Sequence, residues 1–374
     1  MSAAGPLVLF AGGGTGGHLY PGLAIARALV REAPGVRPFF IGAQRGIERD
    51  VLPTTEFPHQ LLPLHPLYRK QPWNNWRTVL GGVQAWRALT QLTRNDRPAA
   101  VVGTGGYAAG VALAWARARG IPTFLHEPDS HPGLTTRVFA RGAQGVFLGF
   151  PEASAQLTAA APGAVYPLGC PIDEPPATNE ARALARAAAR AEWGLPDEAF
   201  VVLVMGGSQG ARAINDVVDQ WIARGLPRGV ALIWSTGRAQ AAAYLHRESE
   251  VVKVRPYLAP ISQAYAAADV ALGRAGAMSI AELCAWGLPM LLVPLPTAAQ
   301  DHQTFNAQAT AAAGAGVMLR QSDLSVDALS AQIALWQQDT TLLARMRESA
   351  QARARPTAAR DIARTLRRLL QLAD

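Results

Sequence analysis

This chain is poor in cysteine and in charge. Its 374 residues include only two cysteines, Cys170 and Cys284, which lie far apart and belong to no CxxC motif. The cysteine content therefore excludes a disulfide framework and a cysteine zinc site, and it fits a reducing compartment. Only 17% of the residues are charged whereas 49% are hydrophobic, so the chain can bury substantial cores and is not of the disordered class.

Segments that would direct the chain into or across a membrane are also missing. The N-terminus has no basic region, and its first apolar run, Leu7–Ala11, is far shorter than the core of a signal peptide. No stretch approaches the roughly 18 apolar residues of a spanning helix. The best candidate, Leu283–Pro296, contains three prolines. We therefore expect a protein that is soluble or peripheral to a membrane, and not one that spans it.

Positive charge is concentrated in the first half and at the end of the chain. Residues 1–167 carry 15 Lys and Arg against 8 Asp and Glu, and residues 353–374 carry 6 against 2, whereas residues 168–352 carry 14 against 17. This distribution favours an anionic partner, and nucleic acid, an anionic membrane face or a polyphosphate substrate would each satisfy it. Scattered arginines on a solvated surface would give the same balance without any partner.

Short apolar runs alternate with helix-prone segments in two separate stretches of the chain. In the first stretch, strands are predicted at Leu7–Ala11, Arg37–Gly42, Ala99–Gly103, Thr123–His126 and Gly145–Phe150. In the second, they are predicted at Phe200–Met205, Val230–Thr236, Val251–Arg255, Val270–Leu272 and Met290–Pro294. Such alternation is typical of parallel sheets covered by helices on both faces. The proline-rich segment Tyr166–Asn179 separates the two stretches and has the composition of a linker.

Glycine-rich turns follow two strands of the first stretch. Gly12–His18 follows the first strand and Gly103–Tyr107 the third, and each opens a helix. Backbone N–H groups at a helix start favour a phosphate, and the two turns should meet at one edge of the sheet, where they would suit a diphosphate. Two close-packed helix starts without a ligand would give the same pattern. His18 is a candidate general base or phosphate partner, although a lone histidine is more often structural.

Polar residues follow further strands on the same predicted edges. His126, Glu127 and Asp129 follow the fourth strand and are candidates for acid–base chemistry, whereas their spacing matches no standard metal motif. In the second stretch, Gly206–Ala211 contains Ser208, a phosphate-binding candidate, and Gly273–Ser279 opens the helix that contains Glu282. Glu282 is expected to accept hydrogen bonds from a ribose, and Asp301, His302 and Gln303 are expected to bind sugar hydroxyls. A helix N-cap followed by solvated polar residues is the alternative for this last group.

The segment Leu67–Leu89 has an unusual combination of tryptophan and positive charge. It contains Trp73, Trp76 and Trp86 together with Arg69, Lys70, Arg77 and Arg87. Tryptophan beside cations suits the headgroup zone of a membrane, and nucleic acid binding by stacking would use the same residues. At least one of the three tryptophans is expected to pack in a core.

Taken in order, these motifs resemble the MurG family of glycosyltransferases. The segments that carry the resemblance are Gly12–Gly22, Gly103–Tyr107, His126–Glu127, Gly206–Ala211, Gly273–Glu282 and Asp301–Ala307. The resemblance implies an α/β protein of B-type glycosyltransferase fold, with two Rossmann-like domains whose parallel sheets face an interdomain cleft. The implied domains are 1–167 together with the C-terminal helix 356–374, a linker at 168–179, and a UDP-GlcNAc-binding domain at 180–352.

The activity implied is inverting transfer of GlcNAc from UDP-GlcNAc to the MurNAc 4-hydroxyl of lipid I, which gives lipid II for peptidoglycan synthesis. UDP-GlcNAc is then a substrate, and no metal or cofactor is expected. The implied location is the cytoplasmic face of the plasma membrane, where the enzyme is peripheral and meets anionic lipid. No nucleic acid partner is expected, and other proteins of cell-wall synthesis stay open as partners.

Individual residues receive roles from the motif chemistry and the resemblance together. His18 and Glu127 are expected to be catalytic. The acceptor diphosphate is expected to contact Gly13, Gly14, His18, Gly105, Gly106 and Tyr107. The donor is expected to contact Thr15, Gly16, Gly17, Asp129, Ser208, Leu258, Ala277, Met278, Ser279, Glu282 and Gln303. The membrane is expected to contact Trp73, Trp76, Arg69 and Lys70.

Two segments depart from the family pattern on the donor side. The family commonly has Glu-Gln-Asn where this chain has Glu127-Pro128-Asp129, and Gly-Asn-Pro-x-Arg where this chain has Gly169–Asp173. An ionised Asp129 accepts hydrogen bonds but donates none, and Asp173 reverses the charge of the arginine. Another donor sugar, another lipid acceptor, or compensation by Arg274 therefore stay open, as does a non-catalytic protein that binds nucleotide sugar or nucleic acid. A Rossmann dehydrogenase is disfavoured because no acid follows the first turn at the required spacing.

Overall fold

The computed structural model describes residues 5–66, 73, 75–207 and 210–372. The chain forms two compact units. Unit 1 comprises Met1–Ile172 and Thr357–Asp374, and unit 2 comprises Asp173–Pro356. Each unit is built on one parallel sheet with helices on both of its faces.

Unit 1 has a sheet of seven strands. They are β1 (Leu7–Ala11), β2 (Arg37–Ala43), β3 (His59–Leu62), β4 (Ala100–Gly103), β5 (Thr123–Glu127), β6 (Gly145–Leu148) and β7 (Val165–Tyr166). The strand order is β3-β2-β1-β4-β5-β6-β7, and every neighbouring pair is parallel. The strand order reverses between β1 and β4, which is the point where open α/β sheets bind ligands.

The helices of the first part of unit 1 follow these strands. They are α1 (Gly16–Glu32), α2 (Glu48–Val51), α3 (Asn75–Leu92), α4 (Gly106–Ala118) and α5 (Leu134–Phe139). Alternate residues of β1 enter two different cores: Val8 and Phe10 pack on one face of the sheet, and Leu7 and Leu9 on the other. The strand is therefore apolar throughout because helices cover both faces.

Unit 2 repeats the same architecture with six strands. They are β8 (Phe200–Met205), β9 (Val230–Ser235), β10 (Val252–Arg255), β11 (Val270–Gly273), β12 (Met290–Leu292) and β13 (Gly316–Met318). The order is β10-β9-β8-β11-β12-β13, again parallel throughout. Its helices are α6 (Asn179–Trp193), α7 (Arg212–Arg224), α8 (Ile261–Ala267), α9 (Ala277–Trp286), α10 (His302–Ala312), α11 (Val326–Gln338) and α12 (Thr340–Arg353).

The last helix, α13 (Ala358–Leu369), belongs to unit 1. Ile362, Ala363 and Leu366 are fully buried in the core that also contains the buried face of α1. Arg364 lies at the edge of this contact, where its Nε donates to Glu32 Oε2 at 3.1 Å. The apolar stripe at helical spacing thus fixes which face of α13 packs inward, and its arginines flank that stripe.

Arginine side chains of helix α6 attach it to the rest of unit 2. Arg186 Nη2 donates to Asp269 Oδ1 at 2.7 Å, and the buried Arg190 donates through Nη2 to Asp269 Oδ2 at 2.8 Å. The same Oδ2 accepts from the backbone N–H of Val201 at 2.8 Å. The carboxylate therefore links this helix to the first strand of the sheet.

The predicted alternation of parallel strands and helices is confirmed, and the predicted strands are present with ends shifted by at most two residues. Three strands and four helices lack a counterpart in the sequence-based prediction: β3, β7, β13, α2, α5, α6 and α10. The three strands have only two to four residues, too few to give a pattern, and α6 is rich in alanine and arginine and has a weak apolar face. Within the described part of the chain, no helix has the length and hydropathy that crossing a bilayer requires.

Candidate functional site

The two glycine turns of unit 1 lie against each other, as predicted, at the carboxyl ends of β1 and β4. Thr104 is buried, and its Oγ1 donates to the carbonyl oxygen of His18 at 2.7 Å. A Cβ on Gly12 would lie 1.9 Å from Thr104 Oγ1, so only glycine allows this approach. The hydroxyl of the second turn therefore fixes the helix start of the first.

His18 lies over the second glycine turn. Its Nδ1 is 3.3 Å from both the carbonyl oxygen of Gly13 and the hydroxyl of Thr15. A Cβ on Gly105 would lie 2.8 Å from His18 Nε2, and Gly105 also has a φ of +104°, so this position requires glycine on two counts. The ring is half-buried, and α1 begins beside it with the exposed Thr15 as its N-cap. Gly16 and Gly17 form the first turn of that helix.

A third loop closes on the same edge of the sheet. Thr135 Oγ1, at the start of α5, donates to the carbonyl oxygen of Gly106, the first residue of α4, at 3.2 Å, which connects the segments that follow β5 and β4. Tyr107 lies next to the first turn, since a Cβ on Gly14 would be 3.2 Å from Tyr107 Cε1. The residues predicted to face the acceptor diphosphate are therefore neighbours in space.

Glu127 is a buried carboxyl with three hydrogen-bond donors. Its Oε2 accepts from Thr136 Oγ1 at 2.5 Å and from Gly133 N at 2.9 Å, and its Oε1 accepts from Asp129 N at 3.2 Å. Burial, and then the nearby Asp129 carboxylate, raise the pKa of Glu127 to about 7. Glu127 thus organises the loop after β5 and also titrates in the range that acid–base chemistry uses. Asp129, half-buried, lies on this loop.

His126, beside it, is a core residue. The ring is buried, and neither of its nitrogens has a partner with hydrogen-bond geometry. Burial lowers the pKa of His126 to about 4, so the ring is neutral near pH 7.

Sequence reasoning missed Glu48, which lies beneath the first turn. The backbone N–H of Gly14 donates to Glu48 Oε1 at 2.7 Å. Burial raises the pKa of Glu48 above its ordinary value. The one available signal was its position just after β2, because that strand ends at the same edge as β1.

In unit 2, a buried asparagine holds the residue that follows β9, against which the turn after β8 packs. Asn215 Nδ2 donates to the carbonyl oxygen of Thr236 at 2.8 Å, and its Oδ1 accepts from Trp234 Nε1 at 3.0 Å. Gly210 has a φ of +76°, and a Cβ there would lie 2.2 Å from the same Thr236 oxygen. Ser208, the predicted phosphate contact, lies outside the described residues. Asn215 was also missed because nothing local distinguishes it from a helix-surface asparagine.

The start of α9 is held by side chains from two other segments. Asn306 Nδ2 donates to the carbonyl oxygen of Ala275 at 3.2 Å. Arg274 donates through Nη1 to the carbonyl oxygens of Val293 and Pro294 at 3.1 and 3.2 Å, and through Nη2 to Gln321 Oε1 at 2.7 Å. These hydrogen bonds occupy the Arg274 guanidinium with partners in unit 2. Of the three residues predicted under the donor diphosphate, Ala277 is buried, and Met278 and Ser279 are half-buried.

Glu282 lies on α9 and is partnered by a tyrosine. Tyr265 is buried, and its hydroxyl donates to Glu282 Oε2 at 2.7 Å. Burial raises the pKa of Glu282, the hydrogen bond from Tyr265 opposes this rise, and the exposed Asp173 adds to it. Asp173, which departs from the family pattern, is therefore close enough to affect the pKa of Glu282, the predicted ribose contact.

The remaining predicted donor residues lie beyond β10 and β12. Gln303 Oε1 accepts from the backbone N–H of Leu295 at 3.0 Å. Just before it, Gln300 and Asp301 have φ values of +54° and +56°, a left-handed conformation that non-glycine residues adopt at a cost. Leu258 is buried after β10.

An exposed apolar surface covers one side of α3. We call it the α3 patch and define it by its large exposed side chains: Trp73, Trp76, Val79, Leu80, Val83 and Trp86. Trp73 and Trp76 are 70% and 59% exposed, and the Arg77 guanidinium lies 5.3 Å from the centre of the Trp76 ring. The predicted partners Arg69 and Lys70 lie outside the described residues. None of the three tryptophans of this segment is fully buried, which corrects the expectation that at least one would pack in a core.

The comparisons with known proteins agree with this architecture. Residues 8–148 match the glycosyltransferase family 28 N-terminal domain, and residues 201–362 match the glycosyltransferase family 28 C-terminal domain. A solved structure of MurG from Acinetobacter baumannii superposes with a TM-score of 0.75 at 26% identity, covering 97% of this chain and 99% of that one. The two parallel sheets and their glycine turns thus define a glycosyltransferase of B-type fold.

Curated relatives narrow the class. A UDP-N-acetylglucosamine--N-acetylmuramyl-(pentapeptide) pyrophosphoryl-undecaprenol N-acetylglucosamine transferase of Desulforudis audaxviator is 38% identical over 94% of this chain and 95% of its own length. The transferase of the same name from Chlorobaculum parvum is also 38% identical, over 95% and 97%. The chain belongs to the MurG family of glycosyltransferases. The resemblance inferred from the motifs is confirmed.

Proposed function

We propose that this protein transfers GlcNAc from UDP-GlcNAc to the MurNAc of pyrophosphoryl-undecaprenol-linked MurNAc-pentapeptide, with inversion at the sugar. The main support for the proposal is that the same arrangement of sheet, glycine turn and helix start occurs in both units. Each unit has a parallel sheet whose strand order reverses beside a glycine turn and a helix start. The MurG family relatives, whose names state this donor and acceptor, match nearly the whole chain.

Unit 2 is the proposed donor side. The start of α9, with Ala277, Met278 and Ser279, would bind the UDP diphosphate through backbone N–H groups at the positive end of the helix dipole. Glu282 would accept hydrogen bonds from the ribose through the oxygen that Tyr265 does not occupy. Ser208, Leu258 and Gln303 keep their predicted donor contacts as part of this proposal.

Unit 1 is the proposed acceptor side. The adjoining turns Gly12–His18 and Gly103–Tyr107 would receive the acceptor diphosphate. His18, half-buried between them, is the proposed base that removes the proton of the acceptor hydroxyl as that oxygen attacks C1 of GlcNAc and UDP leaves. Glu127 supports the neighbouring loop, and its raised pKa permits a part in the same proton transfer. Thr15, Gly16, Gly17 and Asp129 are the proposed donor contacts of this unit.

The reaction is proposed to need no metal ion or cofactor, because preorganised N–H donors at a helix start can stabilise a departing diphosphate. A chelator at millimolar concentration is therefore expected to leave the rate unchanged. The measurement is UDP release with and without chelator. Loss of activity that Mg²⁺ restores would contradict this part of the proposal.

The α3 patch is the proposed membrane contact. Tryptophans beside arginine suit the headgroup region, and the net positive charge of residues 1–167 would add attraction to anionic lipid. The proposed location is accordingly the cytoplasmic face of the plasma membrane, to which the enzyme would be peripheral, and other proteins of cell-wall synthesis are proposed as further partners.

The deciding experiment measures UDP release and product mass for the purified chain with a soluble short-chain acceptor analogue. UDP-GlcNAc and UDP-GalNAc are compared as donors. Turnover with UDP-GlcNAc and little with UDP-GalNAc is expected. Absence of turnover with either sugar, despite donor binding, would favour a non-catalytic protein that binds nucleotide sugar.

A related glycosyltransferase with another donor sugar or lipid acceptor is the second candidate. The observation that favours it is the carboxylate of Asp173, which lies near Glu282 where relatives commonly carry an arginine. Preference for UDP-GalNAc in the same assay would support this candidate.

A further inference from the structure

Glu48 is a fully buried carboxyl to which the proposed reaction assigns no role. Its side chain is 0% exposed. Oε1 accepts from the backbone N–H of Gly14 at 2.7 Å, whereas Oε2 has no partner with hydrogen-bond geometry. The N–H of Gly14 is therefore directed at Glu48 and is not offered to a ligand.

Glycines of two loops leave the space that this carboxyl fills. A Cβ on Gly13 would lie 1.6 Å from Glu48 Oε1, and a Cβ on Gly46 would lie 2.6 Å from Oε2. A Cβ on Gly42 would lie 3.0 Å from the Cβ of Glu48. Gly14 and Gly46 also have φ values of +91° and +98°. The glycine content of the first turn thus serves its packing on Glu48 as well as any ligand.

Burial is the largest influence on the pKa of Glu48. No ion pair joins this carboxyl to a basic side chain among the described residues, and only backbone groups oppose the effect of burial on its pKa, which is raised. A carboxylate beneath a diphosphate would also repel it. What the turn requires from this position is an oxygen within reach of Gly14.

We infer that Glu48 is a positioning residue for the acceptor diphosphate: it holds the turn Gly12–Thr15 in shape by accepting the N–H of Gly14, and it does so as a hydrogen-bond acceptor and not as a negative charge. The inference rests on the proposed function for the identity of the ligand. The role of Glu48 in supporting the turn itself rests only on its hydrogen bond with Gly14 and on the packing of the glycines around it.

Two conservative variants distinguish the position of the acceptor oxygen at residue 48 from the negative charge of its side chain. Glu48→Gln keeps an acceptor oxygen at the same distance and removes the charge, whereas Glu48→Asp keeps the charge and withdraws the carboxyl by one methylene. Because the N–H of Gly14 loses its acceptor and the turn loses the contact that holds its shape, Glu48→Asp should raise the KM for the soluble acceptor about tenfold or more. Glu48→Gln should stay within about threefold of the wild type. The KM for UDP-GlcNAc should not change in either variant.

The matched control is Glu56→Asp, in the same unit. Glu56 is exposed and pairs with Arg27 at 2.7 Å, so its shortening should change neither KM. The opposite ranking, with Glu48→Asp active and Glu48→Gln impaired, would overturn the inference. So would an unchanged acceptor KM in Glu48→Asp.

Hydrogen exchange gives a readout that needs no reaction. The peptide that contains residues 12–18 should exchange faster in Glu48→Asp than in the wild type, and Glu48→Gln should match the wild type. Unchanged exchange in Glu48→Asp would contradict the positioning role even if the wild type proved inactive. A wild-type enzyme without transfer activity would instead contradict the proposed function, while the exchange result would still decide the role of Glu48.

Discussion

The two units use the same sheet topology but support their glycine turns with different chemistry. In unit 1, carboxyl groups hold the loops: Glu48 binds Gly14, and Glu127 binds the loop after β5. In unit 2, the corresponding side chains are amides and an arginine: Asn215 binds the carbonyl oxygen of Thr236, against which the turn after β8 packs, and Asn306 and Arg274 hold the start of α9. Amides donate and accept without charge, whereas buried carboxyls titrate. We therefore expect pH to act more on the loop supports of unit 1 than on those of unit 2.

The largest effect should come from the proposed base in unit 1. His18→Ala should lower kcat by about 10²–10⁴-fold, because a positioned base contributes that much to proton transfer. The acceptor KM should change little. Steady-state rates with both substrates varied give the test, and near-wild-type turnover would remove His18 as the base and weaken the division of roles between the units.

The counterpart in unit 2 is Glu282. Glu282→Ala should raise the KM for UDP-GlcNAc by about tenfold or more, which corresponds to about 1.4 kcal/mol, with no change in the acceptor KM. Tyr265→Phe should have a smaller effect in the same direction, because it removes only the hydrogen bond that orients the carboxyl. An unchanged donor KM in Glu282→Ala would reject the ribose contact.

The pH difference between the units can be tested through Glu127. Its pKa is raised from 4.5 to about 7, so between these values the folded protein binds more protons than the unfolded chain, and stability falls as pH rises. The free energy of unfolding of wild type relative to Glu127→Gln should therefore fall by roughly 3 kcal/mol between pH 4.5 and 8.

Urea unfolding of both proteins at several pH values measures this difference. Glu56→Gln is the control, since the pKa of Glu56 is lowered by Arg27 and its contribution is already complete above pH 4.5. A pH-independent difference for Glu127→Gln would show that this carboxyl is ionised at little cost, and the contrast between the units would disappear.

The smallest effect should be at the surface of unit 1. Replacing Trp73 and Trp76 by serine should weaken sedimentation with anionic liposomes several-fold, on the order of 1 kcal/mol, and high salt should weaken it further by screening. Leu184→Ser, at a 72% exposed apolar residue of unit 2, is the matched control and should change nothing. Equal loss in both variants would mean that membrane contact is not specific to the α3 patch.

Much of this site could be predicted from the sequence. The strands were predicted from their apolar runs, and the adjacency of Gly12–His18 and Gly103–Tyr107 followed from parallel topology. The exposed tryptophans of α3 were only partly anticipated, because a sequence does not show which apolar side chains find a core. Asn215 and Tyr265 carried no local signal, because each acts on a segment that is distant in the chain.

By itself, the sequence determined two parallel α/β units, their glycine turns and the family, because hydrophobic periodicity and backbone freedom are properties of short segments. Only the tertiary structure decided which side chains hold those turns. Glu48 lies 34 residues from Gly14, and Tyr265 lies 17 residues from Glu282. Such pairs meet only when separate strands of the folded sheet bring their carboxyl ends, or the helices that follow them, side by side. The burial that shifts the pKa of Glu48 and Glu127 likewise exists only in the folded protein.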